Sequence, residues 1–269
     1  MDWMEIIQEC SQKMRRATLK FYGSPKAAVG FGVGAGGDIS KRIDLVAEKA
    51  LIDCLGKHEI SCTLISEEAG TKKIGFGNSE FYVTTDPVDG TTNAIRGLPF
   101  SANVIAVSRE PFLQDVETAI VHDIIHNTTY TAQKDGGAFR NGRKIQPSET
   151  SEIADAVIGV DLNTFRIEEL VLKLEGLFRV GKQFRHFGAN ALELCYVADG
   201  STDAFVDIRE KLRVTDMVAS FLILREAGGI ILTLEGEELN FPLEATQRLS
   251  FIAASNRKMY ESIIEALNR

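Results

Sequence analysis

The feature that most constrains this chain is Asp86-Pro87-Val88-Asp89-Gly90-Thr91, which follows the β-branched, apolar run from Phe81 to Thr85. That run reads as a strand ended by Asp86-Pro87, so Asp86 stands at a strand's C-terminal end, where open α/β sheets place their ligands. Pro87 bends the chain away, and Asp89, three residues on, returns to the same side. Two ionised carboxylates so close repel each other unless a divalent cation lies between them. Gly90 lets the backbone approach a ligand closely, and Thr91 with the amides after it opens a helix, a natural phosphate cradle. A bare pair of Asp residues is usually no more than a turn with a cap. The whole hexapeptide behind an apolar strand is far more specific.

Other carboxylates fall at comparable places. Glu67-Glu68 ends the strand Cys62 to Ser66, and if the two strands are neighbours Glu67 comes out beside Asp86. Taken alone, that pair reads as a solvated acidic loop. Asp216 opens a helix running to Ala227, as an ordinary N-cap would. Together Glu67, Asp86, Asp89 and Asp216 give four hard oxygen donors at element ends, which suit Mg2+ or Mn2+ rather than Zn2+.

The rest of the chain alternates helix and strand. Trp3, Ile7, Cys10, Met14, Ala17 and Phe21 make one apolar helical stripe. A glycine-rich stretch, Gly30 to Gly37, reads as a flexible loop. A helix capped by Asp38 or Ser40 follows, with Asp44 at the margin of its buried face. From Ser101 to Ile145 the pattern is strands only, with Asn141-Gly142 a strong hairpin signal. The second half mixes both, and Gly228-Gly229 closes a helix. With no linker and no repeat, the pattern predicts one mixed α/β domain over residues 1–269, in two lobes of about 1–150 and 151–269.

A net charge of −8 argues against nucleic acid or an anionic membrane as partner, and makes phosphate binding depend on intervening cations. Cys10, Cys54, Cys62 and Cys195 show neither metal-knuckle nor redox spacing, so buried, reduced thiols and a cytoplasmic setting are expected. Asp2 and Glu5 argue against a signal peptide, and no apolar run is long enough to span a bilayer.

Ser66-Glu67-Glu68, Asp86 through Asn93 and Val214-Thr215-Asp216, in that order and separation, resemble the inositol monophosphatase family. So do Gly136 through Gly142 and Glu226-Ala227-Gly228-Gly229, and the resemblance covers nearly the whole chain. It implies the layered αβαβα sandwich of the sugar phosphatases and a Mg2+-dependent phosphomonoesterase using two to three ions, for which Mn2+ can substitute. Glu67, Asp86 and the Val88 carbonyl would hold one ion, and Asp86, Asp89 and Asp216 the second. A third, weaker ion would lean on Glu67. Thr91 and Asp44 would orient and activate the attacking water, and the Gly90 and Thr91 amides would bind phosphate. Asp207 would contact substrate hydroxyls, and Gly188-Ala189-Asn190 would border the sugar. At least a homodimer and some sensitivity to Li+ are implied as well.

The glycine-rich stretch lacks the lysine of animal-type members and is similar to the archaeal branch, which acts on inositol phosphate and fructose 1,6-bisphosphate. Asp38 is then a candidate for the third ion, and Arg185 and Arg209 for a distal phosphate or sugar oxygens. The plain alternative for each is a surface or ion-paired arginine, and Arg185 reads equally well that way.

Two other readings stay open. An adenosine 3',5'-bisphosphate phosphatase would share the fold, but relatives of that kind show a lysine where Thr92-Asn93 follows here. A regulatory or binding protein that keeps the phosphatase fold would be expected to tolerate loss of metal ligands, yet all four acidic positions are intact. Gly32-x-Gly34-x-x-Gly37 lacks the preceding strand that a dinucleotide fingerprint needs, and His122 and His126 lack the helix that a zinc pair needs.

Overall fold

A computed structural model describes residues 2–77, 79–165 and 167–269. The first helix, α1 (Trp3–Leu19), is capped by the Asp2 carboxylate, which accepts from the Glu5 amide at 3.2 Å. It buries Trp3, Ile6, Ile7, Cys10 and Met14; Thr18 closes the stripe where Ala17 was expected. The glycine-rich stretch is no plain loop. It forms β1 (Gly30–Val33) and β2 (Ile39–Lys41), an antiparallel two-stranded ribbon. Neither Asp38 nor Ser40 caps the next helix, α2 (Arg42–Lys57). Lys41 occupies that position, and its amide donates to Asp44 Oδ2 at 3.2 Å.

Next come β3 (Cys62–Ser66), β4 (Gly70–Ile74), β5 (Tyr82–Asp89), the short α3 (Thr91–Arg96), β6 (Ala102–Ser108), β7 (Val116–Asp123), β8 (Thr129–Gln133), β9 (Gly137–Arg140) and β10 (Arg143–Lys144). These strands make one eight-stranded sheet, ordered β10-β9-β8-β7-β6-β5-β3-β4. The β9–β10 turn is Asn141-Gly142, both at positive φ, as the hairpin signal required. The chain continues through β11 (Val157–Val160), α4 (Ile167–Val180), β12 (Gln183–Arg185), α5 (Asn190–Ala198), β13 (Ala204–Arg213), α6 (Val214–Ala227), β14 (Ile230–Leu232), β15 (Arg248–Ala254) and α7 (Arg257–Leu267). Its five strands form a second sheet, ordered β12-β11-β13-β15-β14.

Three apolar clusters glue these layers together. One joins α1 and α2 to a face of the larger sheet through Ile7, Met14, Leu51 and Ile105. A second places α5 and α6 between the sheets, with Leu192, Met217, Val121 and Phe251 in mutual burial. The third packs α4 and α7 on the far face of the smaller sheet through Leu174, Ile158 and Ile263. The order is αβαβα. Being sandwiched explains why α6 is buried almost all round, from Val214 to Leu224. Among the described residues no helix is long and apolar enough to cross a membrane.

Candidate active site

Pro87 does not end its strand. β5 runs on to Asp89, although it is a central strand paired with β3 and β6. Asp86 pairs with Val104 and Asp89 with Ala102, so β5 carries one residue more than β6 between the same two rungs. That extra residue is a bulge, the place in a sheet interior where proline is tolerated. The Asn103 side-chain amide donates to the Pro87 carbonyl at 2.6 Å and ties the bulge down. In an unbroken strand, residues three apart face opposite sides of the sheet. The bulge resets that alternation, and the two acids come close enough for the Asp89 charge to help raise the Asp86 pKa.

β3 lies parallel to β5 with Ser66 opposite Thr85, so Glu67 leaves its strand next to Asp86. Asp216 arrives from the first turn of α6, where its Oδ2 accepts from the Arg213 amide at 3.3 Å. One carboxylate oxygen from each of Glu67, Asp86 and Asp216 lies within 4.8 Å of the others. Burial, followed by the neighbouring negative charges, pushes Glu67 and Asp86 well above the usual carboxylate range. Burial also raises Asp216, against the pull of Arg213. Asp89 is raised by burial and by Asp216, but its oxygens accept from the amides of Asn190 (3.2 Å) and Ala191 (2.7 Å). Here it caps α5, outside the three-oxygen cluster.

Asp44 and Thr91 meet beside this cluster. The Thr91 hydroxyl lies 2.9 Å from Asp44 Oδ1 and 2.9 Å from the Val88 carbonyl oxygen. Burial, then the Glu68 charge, lifts Asp44 to about 7, with the Thr91 hydrogen bond opposing. Asp44 and Asp216 share one local geometry, each at the third position of its helix and accepting from the amide three residues earlier.

Gly90 is required where it stands. Its φ is +82°, and a Cβ there would come within 3.0 Å of the Ala189 Cβ and of the Phe100 carbonyl oxygen. The Gly188-Ala189 turn therefore packs directly on the motif. Two side chains hold that turn. The Asn93 amide reaches the carbonyls of Phe100 (2.8 Å) and Phe187 (2.7 Å), and Glu193 Oε1 accepts from the amides of Phe187 (3.1 Å) and Gly188 (3.0 Å).

Several expected contacts fall elsewhere. Asp207 is fully buried, with both oxygens engaged by Arg209 at 2.9 and 2.5 Å, so it presents no free oxygen to a substrate hydroxyl. Arg209 also reaches Asp161 Oδ2 at 2.6 Å and the Asn163 carbonyl at 2.9 Å, which makes it a buried ion-pair residue rather than a free anion donor. Arg185 donates within its own strand, to Gln183 and the Phe184 carbonyl. Asp38 lies on the exposed ribbon, paired with Arg213 rather than joined to the cluster. Arg213 itself was missed. Its guanidinium bridges Asp38 and Glu67, the latter at 2.7 Å, and it also faces the Gly36 carbonyl. The spacing Arg213-x-x-Asp216, which repeats Lys41-x-x-Asp44, was the available signal. His122 is buried in β7 against Ser11 and Asn127, and His126 pairs with Asp123; neither belongs to a metal-capable group among the described residues.

Known proteins of similar sequence and shape carry the same arrangement of elements. Residues 7–269 match the model of the inositol monophosphatase family. A fructose-1,6-bisphosphatase/inositol-1-monophosphatase of Methanothermobacter thermautotrophicus is 34% identical over 98% of this chain and 96% of its own. A bifunctional NADP phosphatase/NAD kinase of Methanococcus maripaludis is 34% identical over 98% of this chain; the chain spans about half (49%) of that relative. A solved inositol monophosphatase-fructose 1,6-bisphosphatase superposes with a TM-score of 0.87 at 32% identity, covering 99% of this chain and 100% of that one.

Proposed function

Because the chain belongs to the inositol monophosphatase family, we propose that it is a Mg2+-dependent phosphomonoesterase of small sugar and polyol phosphates, fructose 1,6-bisphosphate and inositol 1-phosphate first among them. The observation that carries this reading is the convergence of Glu67, Asp86 and Asp216 on one point, Asp86 and Asp216 buried, Glu67 partly so, and all three raised. An oxygen-only donor set of this kind fits a hard divalent cation. Glu67, Asp86, Asp216 and the Val88 carbonyl are the proposed ligands, and Asp89 joins them if it gives up an α5 amide. Such cations supply positive charge to a phosphate dianion and acidify water at neutral pH.

The chain's own residues do the rest. Thr91 and Asp44, hydrogen-bonded to each other, position the attacking water beside them, and Asp44, lifted to about 7, takes its proton. The Gly90 and Thr91 amides contact the phosphate, and the turn clamped by Asn93 and Glu193 forms the wall on which the sugar rests.

A second reading, hydrolysis of the NADP 2'-phosphate, draws on the similarity to the Methanococcus maripaludis relative. One experiment sorts these. Phosphate release is measured from inositol 1-phosphate, fructose 1,6-bisphosphate and NADP, with and without Mg2+. The proposal expects Mg2+-dependent release from one or both of the first two at more than ten times the NADP rate. Release that ignores chelation, or no release from any of the three, contradicts it.

A further inference from the structure

A second set of side chains able to hold a metal lies in the outer helical layer, at the other end of α2. Cys54 sits ten residues beyond Asp44, about 15 Å along the helix. Cys54 and His58, four apart, share one face, and the His58 amide still donates to the Cys54 carbonyl at 3.2 Å. From α1, Glu9 reaches the same spot. One ligand atom each of Glu9, Cys54 and His58 lies within 4.8 Å of the others. The thiol of Cys10, buried like Cys54, rests against the Cys54 thiol. None of these groups takes part in the hydrolytic site.

The spot already gathers cations. Glu9 accepts from Lys13 at 2.9 Å, Lys57 at 3.0 Å and His58 Nε2 at 2.8 Å. The hydrogen bond from Lys13, followed by that from Lys57, pulls the Glu9 pKa down to about 2, so the carboxylate is ionised at any working pH. The thiol and imidazole give this cluster a softer character than the oxygen-only pocket.

We propose that Glu9, Cys54 and His58 form a binding site for a borderline-soft divalent cation such as Zn2+, which clasps α1 to α2, with water as the fourth ligand and the Cys10 thiol hydrogen-bonded to the Cys54 sulfur. Zinc bonds of about 2.0–2.3 Å place tetrahedral ligands roughly 3.3–3.7 Å apart, so side chains must close by about 1 Å. On loading, Cys54 releases its proton to solvent, His58 binds as the neutral imidazole, and a carboxylate and a thiolate together balance the ion's charge. Lys13 and Lys57, no longer needed to neutralise Glu9, swing their ammonium groups into water.

The test uses the full chain, reduced and saturated with Mg2+ so that the carboxylate pocket is occupied. Titration with Co2+ alone should give a thiolate-to-cobalt charge-transfer band that Zn2+ then displaces. A carboxylate site cannot produce that band. Zinc at a hundredfold excess over its Kd should raise Tm by about 5 °C or more. Cys54→Ser should abolish the band and, with His58→Ala, weaken zinc at least tenfold, while Mg2+-dependent phosphate release stays at the wild-type rate. Absence of the band in the wild type overturns the proposal, as does zinc affinity unchanged in Cys54→Ser. If Cys54→Ser fails to fold, His58→Ala, at a partly exposed position, decides through zinc affinity: a loss of at least tenfold is expected, and unchanged affinity overturns the proposal.

Discussion

Two groups of largely buried carboxylates, one on the interior strands of each sheet, meet the same problem differently. Partway along β13, Asp207 shares the guanidinium of Arg209 with Asp161, which lies just past β11; the Arg209 side chain is 6% exposed and reaches both carboxylates. At the ends of β3 and β5 and the start of α6, the four acids Glu67, Asp86, Asp89 and Asp216 have, among the described residues, only Glu67 in direct ion pairing, with the Arg213 guanidinium, while Arg248 acts on Asp216 and Glu67 through its field alone. All four of these acids are raised, and Asp161 is raised too, since burial there outweighs the pull of Arg209. Burying an acid does not by itself make a metal site. What separates the two groups is whether the fold already supplies the cation.

That contrast can be broken by substitution. Asp86→Asn should cost about a thousandfold or more in phosphate release, because it removes the carboxylate central to the cluster. In chelated protein the same change should raise Tm, since it relieves repulsion. Asp207→Asn should do the opposite to stability and lower it by about 3–5 kcal/mol in denaturant titration, because Arg209 is left with a partly unmet buried charge. Equal signs for the two substitutions would erase the distinction. Next in size, Asp44→Asn should lower kcat by about a hundredfold with KM little changed, read from steady-state rates at saturating Mg2+.

The smallest effect concerns Glu193, at the margin of the arginine-bearing group. Burial lifts it to about 8, and its Oε2 is buried without a partner. Its folded pKa lies above the unfolded value, so its contribution to stability is full below about pH 4.5. That contribution declines as pH rises and is gone above about pH 8, at no more than about 1.4 kcal/mol per pH unit. Glu193→Gln should flatten this part of the stability profile, as followed by thermal melts across pH 4–9.

The sequence revealed more of the first group than of the second. Asp86 to Thr91 announced itself because a turn of that composition behind an apolar strand has few other uses. Glu67 and Asp216 became legible through spacing and family resemblance. Nothing local told that β5 would continue through Pro87, since the bulge depends on Asn103 of the neighbouring strand. Glycine hides strand periodicity, so in sequence the ribbon looks like a loop; its pairing is with itself, Val33 opposite Ile39. Asp207 and Arg209 looked available for substrate because a strand-end Asp and a nearby Arg read the same whether they face a pocket or each other. Only Asp161, forty-six residues upstream and brought alongside by parallel pairing of β11 and β13, decides between those cases.

The central claim is that Glu67, Asp86 and Asp216 together hold a hard divalent cation. Calorimetric titration of Mg2+ into metal-free protein, repeated in two buffers of different ionisation enthalpy, tests it most directly. The account predicts saturable binding with proton release, as raised carboxyls ionise around the ion, and loss of both in Asp86→Asn. Mg2+ binding of undiminished affinity in Asp86→Asn, or none in the wild type at millimolar concentration, would contradict it.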